Sequence, residues 1–217
     1  MGDDGSLWGP ILEKAFAKYH GNYSHTESGF SGTALKTLYG APVFEMIHKS
    51  YTADKLWKAL QASDTNGDVI TAGTHETDAG SHWERQANGL ANNHAYTILG
   101  VKEVTDASGN KIRLVKVRDP YRWLSGEYTG DFSDKSKKWT PDLRKQAGSV
   151  IKDDGEFFIP LADYMKSFAE TYINYNTKNM SRTHFLVLDD NNTNTRPYYT
   201  CNNKCSFHKF TIKSKKT

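Results

Sequence analysis

The sequence contains very little cysteine and no long apolar run. Its two cysteines, Cys201 and Cys205, stand near the C-terminus of the 217-residue chain, and the first 200 residues contain none. This distribution argues against a disulfide-stabilised secreted scaffold. No stretch approaches the roughly 18 apolar residues that span a bilayer, and the chain does not open with a charged and then apolar leader. We therefore expect an intracellular protein without a membrane span.

The chain also lacks a strong charge of either sign. Its formal net charge is +3, and its one strongly basic run lies at the end, in residues 213–216. A short basic run at a terminus is typical of a solvated tail, so no nucleic-acid partner is expected. Hydrophobic residues make up 37% of the sequence and aromatic residues 12%. That content favours a packed core over a disordered chain.

Apolar spacing predicts helices in the first part of the chain and strands in the later part. Three helices are predicted at residues 7–19, 31–40 and 53–60, with Ser6, Ser31 and Thr52 as their caps. Strands are predicted at residues 69–72, 94–104, 111–118 and 170–175, with a turn at 106–110 and a short helix from Pro160. Helices followed by a largely antiparallel sheet make an α+β domain.

Two segments do not fit this pattern. Residues 119–150 are rich in Gly, Ser, Asp and Trp without a clear period, which predicts a functional or partner-binding loop. Residues 179–217 read as a separate β-rich piece, with strands predicted at 183–188 and 207–213, and they are too few to complete a β-sandwich. We therefore predict one domain over residues 1–178 and a β-rich extension over residues 179–217.

Two short motifs carry the main functional signal. His94, in the sequence Asn-His-Ala-Tyr-Thr, begins a predicted strand, and Asp119, in Arg-Asp-Pro-Tyr, follows the next strand. Because an antiparallel hairpin brings the start of one strand beside the end of the other, we expect the two side chains within hydrogen-bond distance. A histidine oriented by a second polar group is typical of a general base. The alternative is a strand-start histidine satisfied by the backbone.

Together with other segments, these motifs resemble the second core subdomain of the calpain family of cysteine proteases. The further segments that match, in the order of the family, are residues 12–23, 38–42, 127–134 and 153–158. The resemblance extends to about Tyr175. It implies a papain-like α+β fold, mainly an antiparallel sheet with short flanking helices. The extension after it is similar to the first strand of the β-sandwich that follows calpain cores.

The resemblance gives His94 the position of the catalytic histidine. Asp119 stands where the family has asparagine, Tyr121 replaces a tryptophan, and Arg122 replaces a glycine. In proteases of this type the nucleophilic cysteine precedes the histidine, but here both cysteines follow it and have the wrong neighbours. The chain therefore resembles the histidine-bearing half of a protease core without the attacking sulfur.

The resemblance also implies a Ca²⁺ site between two loops. Its ligands would be the carboxylates of Glu127, Asp134, Asp154 and Glu156 and the backbone carbonyl of Lys152. Ca²⁺ takes six to eight oxygen ligands, several of them carboxylate, so two acidic loops suit it. The alternative is that these residues are ordinary solvated loop acids.

Other possible metal sites are weaker. Residues 64–68 begin like an EF-hand loop, but the twelfth position is His75 instead of glutamate, so a polar turn is predicted. Two more groups contain metal-ligand residue types: His75, Glu76, Asp78 and His82, and Cys201, Cys205 and His208 with the distant His184. The first has no helical histidine pair and the second lacks a nearby fourth ligand, so ordinary polar residues and free thiols are expected.

Three functions follow from these observations. The first is a calpain-like module without the nucleophile, acting as a structural or regulatory subunit of a complex. The second is the histidine-bearing half of a Ca²⁺-dependent cysteine endopeptidase. The third is a Ca²⁺-binding interaction domain. The first predicts a protein-docking face formed by residues 119–150 and a former cleft wall that carries His94, Tyr96, Tyr121, Trp123 and Trp139.

Overall fold

A computed structural model of the chain describes residues 5–75, 85–120, 128–152, 154–176 and 178. The helices are α1 (Trp8–Tyr19), α2 (Ser31–Tyr39), α3 (Ala53–Asn66), α4 (Pro141–Ala147) and α5 (Leu161–Ser167). The strands are β1 (Val43–Ile47), β2 (Val69–Thr74), β3 (Ala95–Thr105), β4 (Lys111–Arg118), β5 (Glu156–Pro160) and β6 (Phe168–Asn174). The predicted extension 179–217 and its cysteines lie outside the described residues.

The three predicted N-terminal helices form, but only one of their predicted caps is used. The Thr52 hydroxyl accepts a backbone hydrogen bond at the start of α3, as predicted. α2 begins at Ser31 itself, and the Ser31 hydroxyl is hydrogen-bonded to Thr71 at 2.8 Å. At α1 the capping position is Leu7, one residue after Ser6, and it makes no side-chain cap. The Ser31 hydroxyl has a partner on a strand 40 residues away, which local sequence does not reveal.

The described strands form one antiparallel sheet in the order β1-β6-β2-β3-β4-β5. β4 lies between β3 and β5, and its Leu114, Val115 and Val117 are fully buried, which confirms the predicted central position. Sequence patterns missed β1 and β5, the two outer strands. In β1 only Met46 is buried, so its alternation is weak, whereas β5 is a short apolar run that periodicity cannot assign.

Two hydrophobic clusters stabilise the sheet. The larger contains Leu56 and Leu60 of α3, Tyr164 of α5, and residues such as Ile98 and Val117 from the strands. The smaller contains Val104, Leu114 and Phe158 from β3, β4 and β5, with Phe132, Leu143 and Ala147 from the segment between β4 and β5. The helices α3 and α5 therefore pack on one face of the sheet, and the β4–β5 connection packs on the other, where α2 also lies through its Ser31–Thr71 contact.

The segment predicted as a long loop at residues 119–150 is in part an ordered, packed structure. Thr140 caps α4 by accepting the Leu143 N–H at 3.2 Å, and the helix ends at Gly148, whose φ is 68°. The indole N–H of Trp139 donates to the Phe132 and Ser133 carbonyls. The loop prediction was therefore wrong for this part, because one two-turn helix is too short to show a clear period. Residues 121–127 lie outside the described residues.

The fold is α+β with an antiparallel sheet and short flanking helices, as predicted. None of the helices in the described part of the chain is long and apolar enough to cross a membrane.

Candidate functional site

The β3–β4 hairpin brings His94 and Asp119 together. Thr97 of β3 pairs with Arg118 of β4, so Asp119 comes opposite Tyr96 and diagonal to His94, which points to the same side of the hairpin as Tyr96. The His94 Nε2 is 2.9 Å from the Asp119 Oδ1, and the two side chains are only 12% and 6% exposed. The predicted contact, which we call the His–Asp pair, is confirmed. The catalytic role of the two residues stays a prediction.

Both members of the pair have additional support. The His94 ring meets the Tyr96 ring edge-on, with centroids 4.8 Å apart. The Tyr96 hydroxyl accepts the Ala91 N–H at 3.0 Å, and burial, followed by the negative charge of Asp119, raises the pKa of Tyr96. The Asp119 N–H donates to the Gly155 carbonyl at 2.9 Å. The His94 ring is therefore packed against an aromatic ring, and the Asp119 backbone is anchored to Gly155, the residue before β5.

The predicted aromatic cleft wall does not form as expected. Tyr96 is buried in the larger cluster, with 2% of its surface exposed. Trp139 packs edge-on against Phe132 and Phe158, with centroids 4.9 and 5.7 Å away, in the smaller cluster. The two rings therefore belong to different parts of the core, and the prediction of an exposed wall was wrong for Tyr96 and Trp139. Tyr121 and Trp123 lie outside the described residues.

Exposed apolar side chains are found instead near the N-terminus. The large ones on or beside α1 are Leu7, Trp8, Ile11, Leu12 and Tyr19. Sequence spacing places Leu7, Ile11, Leu12 and Tyr19 on one stripe of the helix but gives no sign that the stripe is exposed.

Most of the predicted Ca²⁺ ligands line one cavity. The cavity has a volume of about 260 Å³, and Asp134, Lys152, Asp154 and Glu156 all contribute to its lining, together with Lys116. We call it the acidic cavity. Glu127 lies outside the described residues, so the structure brings together four of the five predicted ligands and does not describe the fifth.

Backbone N–H groups already hydrogen-bond to two of the cavity carboxylates. Asp134 accepts the Lys152 N–H at 2.9 Å, and Asp154 accepts the Glu156 N–H at 3.0 Å. Burial, with the nearby charge of Asp154, raises the pKa of Asp134 despite the Lys152 hydrogen bond. Burial acts in the same direction on Asp154, but the Glu156 N–H and the Lys152 ammonium outweigh it and lower the pKa of Asp154. The two carboxylates therefore differ in their affinity for a proton.

Two lysines provide positive charge in the acidic cavity. The Lys116 ammonium is 2.6 Å from Glu156, and the Lys152 ammonium is 3.4 Å from Asp154. Among the residues that the structure describes, no group of three or more acidic, histidine or cysteine side chains is arranged to hold a metal ion. A cation would therefore have to displace the lysines and draw the carboxylates closer together.

The other predicted polar segments have structural contacts. Asp64 accepts the Val101 N–H at 3.1 Å, and Asp68 accepts the Asn176 N–H at 2.8 Å, so residues 64–68 tie the end of α3 to β3 and to the segment after β6. The Nε2 atom of His75 lies 3.0 Å from the carbonyl oxygen of Lys166. Glu76, Asp78 and His82, like the cysteine group, lie outside the described residues.

Comparison with known proteins identifies the same family as the motifs. A family model described as calpain family cysteine protease matches residues 2–175. Human Calpain-14 is 34% identical over 164 residues, 75% of this chain and 23% of that protein. Rat Calpain-9 is 29% identical over 174 residues, 79% of this chain and 25% of that protein. The rice calpain-type cysteine protease ADL1 is 33% identical over 175 residues, 77% of this chain and 8% of that protein.

The chain thus spans a quarter or less of the length of these relatives. Among solved structures, SERA5E from Plasmodium falciparum aligns with a TM-score of 0.33 and 14% identity, over 61% of this chain and 45% of that one. A similarity this low supports no conclusion on function. The family match, in contrast, covers most of the sequence and includes both members of the His–Asp pair. This protein therefore belongs to the calpain family of cysteine proteases.

Proposed function

We propose that this chain is a calpain-type domain that carries the histidine half of a protease site and has no peptidase activity alone. The observation that carries the proposal is the 2.9 Å contact between His94 and Asp119 in a sequence whose only cysteines follow them, at positions 201 and 205. A general base without a nucleophile can accept a proton but cannot form the acyl intermediate of a cysteine protease.

From this contact we infer a role for each ring nitrogen of His94. With Nε2–H donating to Asp119, Nδ1 is the nitrogen that would exchange a proton with a thiol. Asp119 would fix the tautomer and the ring orientation, as asparagine does in the family and as a carboxylate does in serine triads. The sulfur would have to come from another polypeptide segment facing His94.

Two biological roles are compatible with this chemistry. In the first, an intracellular structural or regulatory subunit keeps the calpain fold and binds a protein partner through the surface around His94 and the 119–150 segment. In the second, the chain is the histidine half of a Ca²⁺-dependent endopeptidase. The intact His–Asp pair favours the second, because a purely structural subunit has no need of an oriented imidazole.

A two-part activity assay separates these roles. The purified chain should not turn over a fluorogenic peptide, whereas mixing it with the cysteine-bearing core segment of human Calpain-14 should restore turnover if the chain is an enzyme half. That turnover should disappear with His94→Ala and persist with His25→Ala, which changes an exposed histidine on the turn after α1. Turnover by the chain alone, lost in His94→Ala, would overturn the proposal. No turnover on mixing would favour the structural role.

We further propose that the acidic cavity binds one Ca²⁺ ion. Support comes from four of the predicted ligand residues, Asp134, Lys152, Asp154 and Glu156, which line one 260 Å³ space. Exposed ion pairs contribute only about 0–1 kcal/mol each, and the Lys152 side chain is 69% exposed. A divalent cation can therefore displace the Lys152 ammonium, and Glu127, a predicted ligand, would supply a further carboxylate.

Calorimetry tests the Ca²⁺ site directly. The wild-type chain should take up one Ca²⁺ ion with measurable heat, and Asp154→Ala should abolish it. Asp131→Ala is the matched control, because it removes the same charge from an exposed position in the same segment. Absence of heat and of any thermal shift in the wild type would remove Ca²⁺ from the proposed function and leave the His–Asp pair unaffected.

A further inference from the structure

Thr74, the last residue of β2, is hydrogen-bonded to both peptide groups of His94. Its N–H donates to the His94 carbonyl at 3.0 Å, and its hydroxyl donates to the same oxygen at 3.2 Å. The hydroxyl oxygen also accepts the His94 N–H at 3.0 Å. Only 4% of Thr74 is exposed, so water has little access to replace these bonds.

The contact lies where the sheet becomes irregular. The register between β2 and β6 shifts between Gly73 and Thr74, and β3 begins only at Ala95, which pairs with Gly73. Asn93, just before His94, has a φ of 50°, in the left-handed region that non-glycine residues rarely adopt. His94 therefore lies just beyond the regular ladder, where the Thr74 hydroxyl adds bonds that the ladder does not supply.

The position of the His94 backbone determines where its imidazole lies. From this backbone the ring contacts Tyr96 and places Nε2 2.9 Å from Asp119. Asp119 is held separately, by its N–H bond to the Gly155 carbonyl. Thr74 of β2 holds His94, and Gly155, just before β5, holds Asp119. A shift of the His94 peptide would therefore move the imidazole without moving the carboxylate. Catalytic groups have to be held within about 0.5 Å.

We propose that Thr74 is a positioning residue for the His–Asp pair, its hydroxyl holding the His94 peptide so that Nε2 stays within reach of the Asp119 carboxylate. This inference rests on the proposed function for any catalytic consequence, but the geometry of the pair can be tested without it. The competing explanation is that the hydroxyl only satisfies buried groups at a strand end. In that case its removal changes stability and leaves the pair intact.

Substitutions at Thr74 separate the effect of its hydroxyl from that of its side-chain shape. Thr74→Val removes it at nearly constant shape, and Thr74→Ser keeps it. Thr74→Ala also removes it and replaces Thr74→Val if that variant does not fold. Thr71→Val is the matched control, because Thr71 lies on the same strand and its hydroxyl contacts Ser31 at 2.8 Å instead of His94.

The first readout is the Nε2–H proton of His94 in ¹H–¹⁵N spectra of the 217-residue chain, assigned by its loss in His94→Ala. We expect its exchange with water to be at least about tenfold faster without the Thr74 hydroxyl, because the hydrogen bond to Asp119 opens more often. Thr74→Ser and Thr71→Val should stay within about twofold of the wild type. Unchanged exchange in the hydroxyl-less variants would overturn the inference.

The second readout is the two-part activity assay. Thr74→Val should lower kcat about tenfold with little change in KM, and Thr74→Ser should restore it, because the hydroxyl acts on the base and does not touch substrate. An unchanged kcat in Thr74→Val contradicts the catalytic consequence. If the wild type shows no turnover on mixing, the catalytic use of the pair fails with the proposed function, while the exchange rates still decide whether Thr74 positions His94.

Discussion

The His–Asp pair and the acidic cavity lie close together, but they differ in how completely they are formed. In the pair, the Asp119 carboxylate lies 2.9 Å from the His94 imidazole, and both side chains are largely buried. In the cavity, carboxylates that could bind a cation are hydrogen-bonded to backbone N–H groups or paired with lysines. Strand pairing alone brings His94 and Asp119 into contact. The loops that line the cavity leave its carboxylates bonded to other groups of the protein, so binding a cation there requires those contacts to change.

The two regions meet at Gly155. Its carbonyl accepts the Asp119 N–H, and its neighbours Asp154 and Glu156 line the acidic cavity. One hydrogen bond therefore links the backbone of residues 154–156 to Asp119. The predictions that follow test the difference between the regions, beginning with the largest expected effect.

Removing a carboxylate should be much more damaging in the pair than in the cavity. Asp119→Ala leaves buried hydrogen-bonding groups unsatisfied and should lower the free energy of unfolding by about 2–3 kcal/mol. Asp119→Asn keeps an acceptor oxygen and should lower it by less than about 1 kcal/mol. Asp154→Ala, on a partly exposed loop, should also stay below about 1 kcal/mol without Ca²⁺. Urea unfolding measures all three, and equal losses for Asp119→Ala and Asp154→Ala would contradict the comparison.

Ca²⁺ should bind in the cavity and stabilise the folded chain. The cavity carboxylates should then contribute more to stability than they do without the ion, which reduces the difference from the His–Asp pair. At about 100 times its dissociation constant, a bound ion adds about 2.7 kcal/mol to the free energy of unfolding, which calorimetry detects as a higher Tm. Mg²⁺ should add less, because it needs a smaller octahedral site. The Ca²⁺ shift should shrink in acid, since burial raises the pKa of Asp134 and protonation removes a ligand charge. Equal shifts with both ions would indicate nonspecific binding.

Both regions exist only in the folded domain, and the burial of His48 makes the stability of that fold depend on pH. His48 is 3% exposed, and burial lowers its pKa to about 4. Its Nε2 is 2.8 Å from Thr171. The unfolded chain therefore binds a proton at His48 more readily than the folded one. The folded state is not penalised for keeping His48 neutral well above pH 6.5, and its free energy of unfolding decreases as the pH falls from about 6.5 towards 4.

Between pH 6.5 and 5 the loss should be about 1–2 kcal/mol. His48→Gln should reduce this pH dependence, and His25→Ala should leave it unchanged. Urea unfolding at several pH values tests the expectation. A wild-type stability that does not fall over this interval would show that His48 is not held neutral.

The smallest expected effect concerns the lysines of the cavity. Lys116→Met removes the ammonium that lies 2.6 Å from Glu156 and should tighten Ca²⁺ binding several-fold, because the ion no longer competes with a fixed positive charge. Lys138→Met, which removes a charge from an exposed lysine beside Asp131, is the control. Calorimetry compares the two, and a weaker or unchanged affinity in Lys116→Met would show that the lysine does not oppose the ion.

Local sequence was sufficient where a structure depends on neighbours in the chain. The cap at Thr52 and the central strand β4 follow from patterns a few residues long. The pairing of His94 with Asp119 needed only a hairpin with a good turn at residues 106–110. The Thr-Pro-Asp start and the Gly148 end of α4 were also present in the sequence, and reading these terminal signals would have predicted that helix.

Other features depended on contacts between distant parts of the chain. The Ser31 hydroxyl bonds to a strand instead of capping a helix, and Trp139 enters the smaller cluster instead of an exposed wall. Thr74 had no sequence signal, because its contact with His94 spans 20 residues and arises from a shift in sheet register.

The sequence by itself determined the family, the α+β class and the identity of the paired residues, because these depend on motif order and on one local hairpin. Only the tertiary structure decided how the pair is held, which aromatic rings are buried, and that Asp134, Asp154 and Glu156 share one cavity with two lysines. The physical reason is that hydrogen-bond satisfaction and burial are set by whichever groups the fold brings together. Those groups come from separate strands and loops, whose relative placement no local pattern specifies.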